Sequence, residues 1–218
     1  MEATSRVDAA SEYTTGWVGL RGRVGAWMLA SWPRRILERL FQGNPGEHFF
    51  ETLALRGDET VVDVGCGSGY YALQVAARLD AGVVIGVDLS EEMLCSFRRR
   101  ATSRRLTDRV ELRKGGAHGL PVAEASADRV ITTTVLHELP DADGVAREIA
   151  RVLKPGGRVV VLDYRKPRPG EGGRGHRAEG GEQFDAAGLR GLLECAGLRD
   201  AHAEEFNVWV LGTAVKPG

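Results

Sequence analysis

Cysteine is scarce in this 218-residue sequence. Cys66, Cys95 and Cys195 stand far apart and form no CxxC pair and no Cys/His cluster. That argues against a disulfide framework or a metal site and leads us to expect a reducing compartment. No apolar run reaches the roughly 18 to 20 residues of a membrane span. Charge of one sign is lacking too: 29 basic residues face 30 acidic ones, a formal net charge of −1. No whole-chain field therefore draws in nucleic acid. The opening MEATSRVDAASEYTTG lacks the charged-then-apolar order of a signal peptide, so a cytoplasmic protein is expected.

What is present is ordinary for a globular chain, with 43% hydrophobic and 27% charged residues. The length suits one domain with a small extension. Residues 1–16 are polar and expected to be disordered. Over residues 17–41, Trp17, Leu20, Val24, Trp27, Met28, Trp32, Ile36 and Leu40 recur at helical spacing among arginines, and Pro33 divides the stretch in two. Three readings stay open for it: a helical lid running on to residue 56, a peripheral membrane contact, because Trp with Arg on an amphipathic helix suits an interface, or a homodimer contact. QGNPGE at 42–47 reads as a turn and 48–55 as a helix.

From residue 57 onward a rhythm begins. Apolar strands are expected at 60–64, 83–87, 110–114, 128–134, 158–164 and 206–213, and helices at 71–79, 91–103, 142–152 and 186–196. Residues 201–205 lead into the last strand or form its hairpin partner. Strands alternating with helices imply an α/β fold, a doubly wound parallel sheet covered on both faces. Ligands bind such sheets beyond the carboxyl ends of the strands. Residues 165–181, RKPRPGEGGRGHRAEGG, form one long Gly/Arg/Pro-rich connection.

The stretch VVDVGCGSGY at 61–70 sits where a ligand turn belongs, after a strand and before a helix. Its glycines, Gly65, Gly67 and Gly69, permit a sharp turn and a close approach to main-chain N–H groups. The spacing is GxGxG rather than the dinucleotide GxGxxG, and bulky Tyr70 stands where the latter wants a small residue. Asp63, two residues before the first glycine, would repel phosphate and attract an ammonium group. Asp88 closes the second strand and can accept both hydroxyls of a ribose. Acid, glycine turn and second acid together describe a site for adenosine joined to an amino acid, which is S-adenosylmethionine. NAD-dependent oxidoreduction is the weaker reading, and a non-catalytic binding module is a third.

Four motifs in order carry a resemblance: VVDVGCGSGYYA (61–72), VIGVDLSEEML (84–94), ADRVITTTVLHELPD (127–141) and EIARVLKPGGRVVVLDY (148–164). The sequence resembles the class I S-adenosylmethionine-dependent methyltransferase family, in its small-molecule branch of the ubiquinone/menaquinone-biosynthesis type. The resemblance implies a seven-stranded Rossmann-like sheet whose last strand, over 207–213, runs antiparallel. It implies S-adenosyl-L-methionine as cofactor, S-adenosyl-L-homocysteine as product, and a small-molecule acceptor methylated on O, N, C or S. The cofactor would meet Asp63, Gly65, Cys66, Gly67, Gly69, Asp88, Leu89 and Met93, with Thr133 along its methionine part. In KGGAHGLP (114–121) Gly116 replaces the family's usual adenine-binding acid, which leaves Ala117 and His118 to make that contact. TTTVLH does not match the Asn/Asp-Pro-Pro-Tyr motif of amino-methylating DNA enzymes.

His137, just past the fourth strand, would face the transferred methyl group and could take a proton from the nucleophile. It could equally cap the strand or order the loop, and neighbouring Glu138 is the next candidate base. Lys154–Gly157 reads as a turn before the fifth strand. DYRKPRPGEGGRGHR (163–177) resembles a segment of small bacterial methyltransferases in which Arg174, His176 and Arg177 would face substrate. A solvated linker is an equal reading.

Overall fold

The structure, a computed structural model, describes residues 45–168, 171 and 181–218. The expectations placed on residues 1–16 and 17–41, and on Arg174, His176 and Arg177, lie outside the described residues.

Helix α1 (Pro45–Leu53) opens the described chain. Pro45 stands at its first position, where a missing N–H costs nothing, so the second half of QGNPGE is helix and not turn. Then follow β1 (Thr60–Val64), α2 (Ala72–Ala76), β2 (Val83–Asp88), α3 (Glu91–Ser103), β3 (Val110–Lys114), β4 (Ala127–Thr133), α4 (Ala142–Val152), β5 (Leu153–Tyr164), α5 (Ala186–Cys195), β6 (Arg199–Phe206) and β7 (Trp209–Val215). Side-chain caps start three of the helices: Ser90 accepts from the Met93 N–H, Asp141 from Gly144 and Asp185 from Gly188. Each cap contributes about 1 kcal/mol.

The seven strands form one sheet in the order β3-β2-β1-β4-β5-β7-β6. β7 pairs antiparallel with both of its neighbours, and the other pairings are parallel. The chain order reverses between β1 and β4, and the cleft beyond those strand ends is where such a sheet takes its ligand.

Period-two alternation sorts the strands' side chains to the two faces. On one face Val62, Val64, Val130, Val159 and Val161 pack with Val145 and Ile149 of α4 and Leu189 and Leu193 of α5. On the other Val61, Val84, Ile131, Val160 and Leu162 meet Phe49 and Leu53 of α1, Leu73 and Val75 of α2, and Phe97 of α3. Residues 45–53, within the stretch read as a lid, thus belong to the core. Phe97 is fully buried, and its truncation to Ala would cost about 3–5 kcal/mol.

Residues 154–157 do not form a separate turn before the fifth strand. β5 begins at Leu153, and the ladder with β4 shifts register between Ala127 and Arg129, so KPGG bulges out within the strand. Gly156 takes φ +76°, and its N–H finds the Lys216 carbonyl. Lys216, just past β7, holds the bulge from the far side, its N–H donating to the Gly157 carbonyl at 2.9 Å, and the local sequence does not reveal that partner.

Candidate functional site

The glycine turn hangs from the end of the neighbouring strand. The N–H groups of Gly65 and Cys66 both donate to the Val87 carbonyl, at 2.9 and 3.0 Å. The three glycines then differ in purpose. A Cβ on Gly65 would come 2.5 Å from Val135 Cγ2, and one on Gly69 would collide with the Phe97 ring. Those two positions are closed by packing. Gly67, at φ +51°, would place a Cβ in open space, so its surroundings leave room for a ligand against the backbone.

Two acids frame this turn. Asp88 accepts the Gly67 N–H at 2.8 Å on one oxygen and the Ser90 N–H at 2.8 Å on the other. It therefore holds the turn and retains lone pairs for further donors. Asp63 is buried at 2% exposure, and its Oδ1 has no hydrogen-bond partner among the described residues. Burial first, then the charge of Asp88, pushes the Asp63 carboxyl well above the usual carboxylate range. Burial also raises Asp88, against the lowering effect of its N–H donors. Cys66 is pushed up by burial and by both acids, which gives no basis for a reactive thiolate.

A buried acid with an unsatisfied oxygen costs free energy that a cationic ligand would offset. The ammonium group of an amino acid is such a cation. The residues present therefore fit S-adenosylmethionine: Asp63 toward its ammonium, the open backbone at Gly67 beside it, and Asp88 toward its ribose. Leu89 is half-buried next to Asp88, and Met93 is buried one helical turn into α3. A Cβ on Gly116 would come 3.6 Å from Leu89 Cδ2, so the loop after β3 adjoins this side, with Ala117 following. The His118 Nε2 lies 3.0 Å from the Asp141 carbonyl at the start of α4.

The second half of the site forms where β4 and β5 end. Thr133 is half-buried at the last position of β4. Thr134 adopts φ +56°, a left-handed conformation costing a β-branched residue about 1–3 kcal/mol. The 2.8 Å bond from its N–H to the Leu162 carbonyl holds it there. This bend delivers a 3₁₀ turn, Leu136–Glu138, with His137 buried at 2% exposure.

Asp163, near the end of β5, meets His137 twice. Its Oδ1 lies 2.6 Å from His137 Nδ1, and its Oδ2 accepts the His137 N–H at 3.3 Å. The Tyr164 N–H donates to Oδ1 at 2.7 Å. Burial pulls the imidazole pKa down, but the bond to Asp163 and the charges of Asp163 and Glu138 outweigh it, and His137 is raised. The Glu138 carboxyl lies 3.8 Å from His137 Nε2. Burial raises it, His137 opposes this, and Asp163 and Asp88 add to it. Beside the imidazole stands Tyr164, edge-on at 5.2 Å, itself stacked at 4.6 Å on buried Trp209.

Asp163, Tyr164 and Trp209 are the site residues that sequence reasoning missed. A signal for Asp163 was there: an acid ending a strand, the same sign that marked Asp63 and Asp88.

The chain is similar to known methyltransferases in sequence and fold. Residues 62–161 match the protein-family model described as "Methyltransferase domain". Demethylmenaquinone methyltransferase of Lactiplantibacillus plantarum is 40% identical over 114 residues, which are 52% of this chain and 48% of that protein. The 27-O-demethylrifamycin SV methyltransferase of Amycolatopsis mediterranei is 38% identical over 112 residues, 51% of this chain and 41% of that one. The chain thus spans less than half the length of these curated relatives. Among solved structures, a SAM-dependent methyltransferase from Aquifex aeolicus superposes with a TM-score of 0.71 at 23% identity, over 88% of this chain and 97% of that one. This last likeness establishes the fold.

Proposed function

We propose that this chain, a member of the class I S-adenosylmethionine-dependent methyltransferase family, moves a methyl group onto a hydroxyl of a small-molecule acceptor. The observation that carries this reading is the buried, unsatisfied Asp63 oxygen beside the open backbone at Gly67. A carboxylate there disfavours the pyrophosphate of NAD and favours an ammonium-bearing nucleoside. S-adenosylmethionine, when bound, supplies an electrophilic methyl group on a sulfonium.

The chain's own task is to position, desolvate and deprotonate. Asp63 would hold the ammonium, and Asp88 would grip the ribose while it fixes the turn through Gly67. His137 donates its Nδ1 proton to Asp163, which leaves Nε2 with the lone pair. Nε2 is then the atom that removes a proton from the acceptor as its nucleophile commits. The resulting imidazolium is stabilised by Asp163 and by the nearby Glu138 carboxyl. Tyr164, backed by Trp209, gives the acceptor side an apolar wall that keeps water from competing.

A base of this kind suits a nucleophile that must lose a proton, which favours a hydroxyl; the name of the rifamycin relative specifies an oxygen. The test is incubation of the purified protein with S-[methyl-³H]-adenosylmethionine and a panel of phenols, alcohols, amines and thiols. Label on hydroxyl acceptors, with turnover rising as pH climbs through the raised value of His137, is the expected result. Label confined to amines or thiols would refute the hydroxyl assignment. No transfer to any acceptor by protein that binds the cofactor would argue for a binding module instead.

A further inference from the structure

After β5 the chain leaves the sheet at Arg165 and later returns beside it. Phe184 bridges to Arg165, the Phe184 carbonyl accepts the Lys166 N–H at 2.9 Å, and the Phe184 ring is buried in the core. The returning segment begins with Gly181 among the described residues, and it lies directly on the His137 turn. A Cβ on Gly181 would come 2.5 Å from the His137 carbonyl carbon, 2.7 Å from the Leu139 nitrogen, and closer still to the His137 carbonyl oxygen. All three are backbone atoms. No side-chain rotation could make room, so any residue but glycine must push the two segments apart.

We infer that Gly181 is a positioning residue for the His137–Asp163 pair: its bare backbone seats the 3₁₀ turn from above and keeps the imidazole against the Asp163 carboxylate. The inference rests on the base role given to His137. Asp163 grips that residue by its ring nitrogen at 2.6 Å and by its backbone N–H at 3.3 Å. A shift of a few tenths of an ångström in the turn moves both bonds together, because ring and backbone belong to one residue. Gly181 touches the turn from the side of the returning segment, whereas Asp63, Gly67 and Asp88 belong to β1, the turn after it and β2. Its effect should therefore appear in the imidazole and not in the cofactor site.

The experiment compares wild type, Gly181→Ala and a control, Gly191→Ala, in the full chain. Gly191 lies in α5 with nothing within 4 Å of an added Cβ. Imidazole nitrogen and proton resonances of ¹⁵N-labelled histidine are followed against pH, and S-adenosylmethionine affinity is measured beside them. Wild type and Gly191→Ala are expected to show a strongly downfield Nδ1 proton and a His137 titration above the ordinary histidine value. In Gly181→Ala that proton should be lost or move upfield and the titration fall, while cofactor affinity stays within about twofold. An unchanged His137 signal and titration in Gly181→Ala would overturn the inference. If wild type itself lacks the downfield proton, the His137–Asp163 reading fails first. Should Gly181→Ala not fold, Phe184→Leu loosens the same segment without adding an atom at 181. A lowered His137 titration there supports the inference, and an unchanged one overturns it.

Discussion

Two buried aspartates at the ends of parallel strands face opposite situations. Asp163 accepts three hydrogen bonds, from the His137 ring, the His137 backbone and the Tyr164 backbone. Asp63, equally buried, has an oxygen that nothing described in the chain satisfies. Asp163 is occupied by the protein and serves to orient a neighbour. On the function proposed above, Asp63 awaits a cation that none of the described residues supplies. The same residue type at equivalent depth is thus satisfied by the protein in one place and left with an unsatisfied oxygen in the other, where the proposed function puts a ligand.

That contrast can be broken at several places. The largest effect is expected from Asp163→Asn. It should lower turnover by about 10²–10⁴-fold, the usual contribution of general-base catalysis, with cofactor affinity within about threefold. It should also lower thermal stability, because it disrupts a satisfied buried network. Steady-state kinetics and calorimetric melting on the same sample check this, and an unimpaired rate would contradict the base role.

Asp63→Asn should do the reverse. Cofactor affinity falls by about two orders of magnitude, or about 3 kcal/mol for loss of a buried charge pair. The ligand-free protein melts no lower than wild type, since a buried carboxyl with an unsatisfied oxygen has been replaced by a neutral amide. A clear loss of stability with intact affinity would give Asp63 a structural role.

The Asp63 pKa is raised in the folded protein, so the folded state holds a proton that the unfolded chain has released. Its contribution to the stability of the ligand-free protein is therefore full below the ordinary aspartate value and is lost as pH climbs through the raised one. Ammonium binding selects the ionised carboxyl, so cofactor affinity should rise with pH over the same window, with proton release. Titrations in buffers of different ionisation enthalpy measure that proton, and Asp63→Asn should abolish it. His137, also raised, likewise stabilises the fold below the ordinary histidine value and loses that contribution as pH rises through its own.

Smaller effects are expected at the turn. Asp88→Ala should weaken cofactor binding by about 1–3 kcal/mol, and unchanged affinity would refute the ribose assignment. Gly67→Ala should destabilise the protein by about 1 kcal/mol through its left-handed φ, and it adds a methyl where the cofactor would lie. A larger loss in affinity than in stability is the expected signature.

The meeting of Asp63, the glycine turn and Asp88 at one edge of the sheet was legible in the sequence because its parts are local. Asp63, the glycines and Asp88 lie within 26 residues, and strand-turn-helix patterning places them at the same edge. The strand order and the antiparallel last strand followed from the same alternation together with the family resemblance. The other side was not legible as a pair. His137 was a candidate, but Asp163 stands 26 residues away, and the two meet only because β4 and β5 are neighbours in register. The bulge that extends β5 back to Leu153, the burial of α1 against the sheet and the backbone seat at Gly181 all depend on contacts between distant segments, which periodicity does not encode.

Isothermal titration of the purified chain with S-adenosylmethionine, S-adenosylhomocysteine and NADH, on wild type and Asp63→Asn in parallel, tests whether Asp63 selects the cofactor. Micromolar binding of the first two to wild type, its loss by about two orders of magnitude in the variant, and no heat with NADH are the predicted results. Binding of NADH, or affinity for S-adenosylmethionine indifferent to Asp63, would contradict the account.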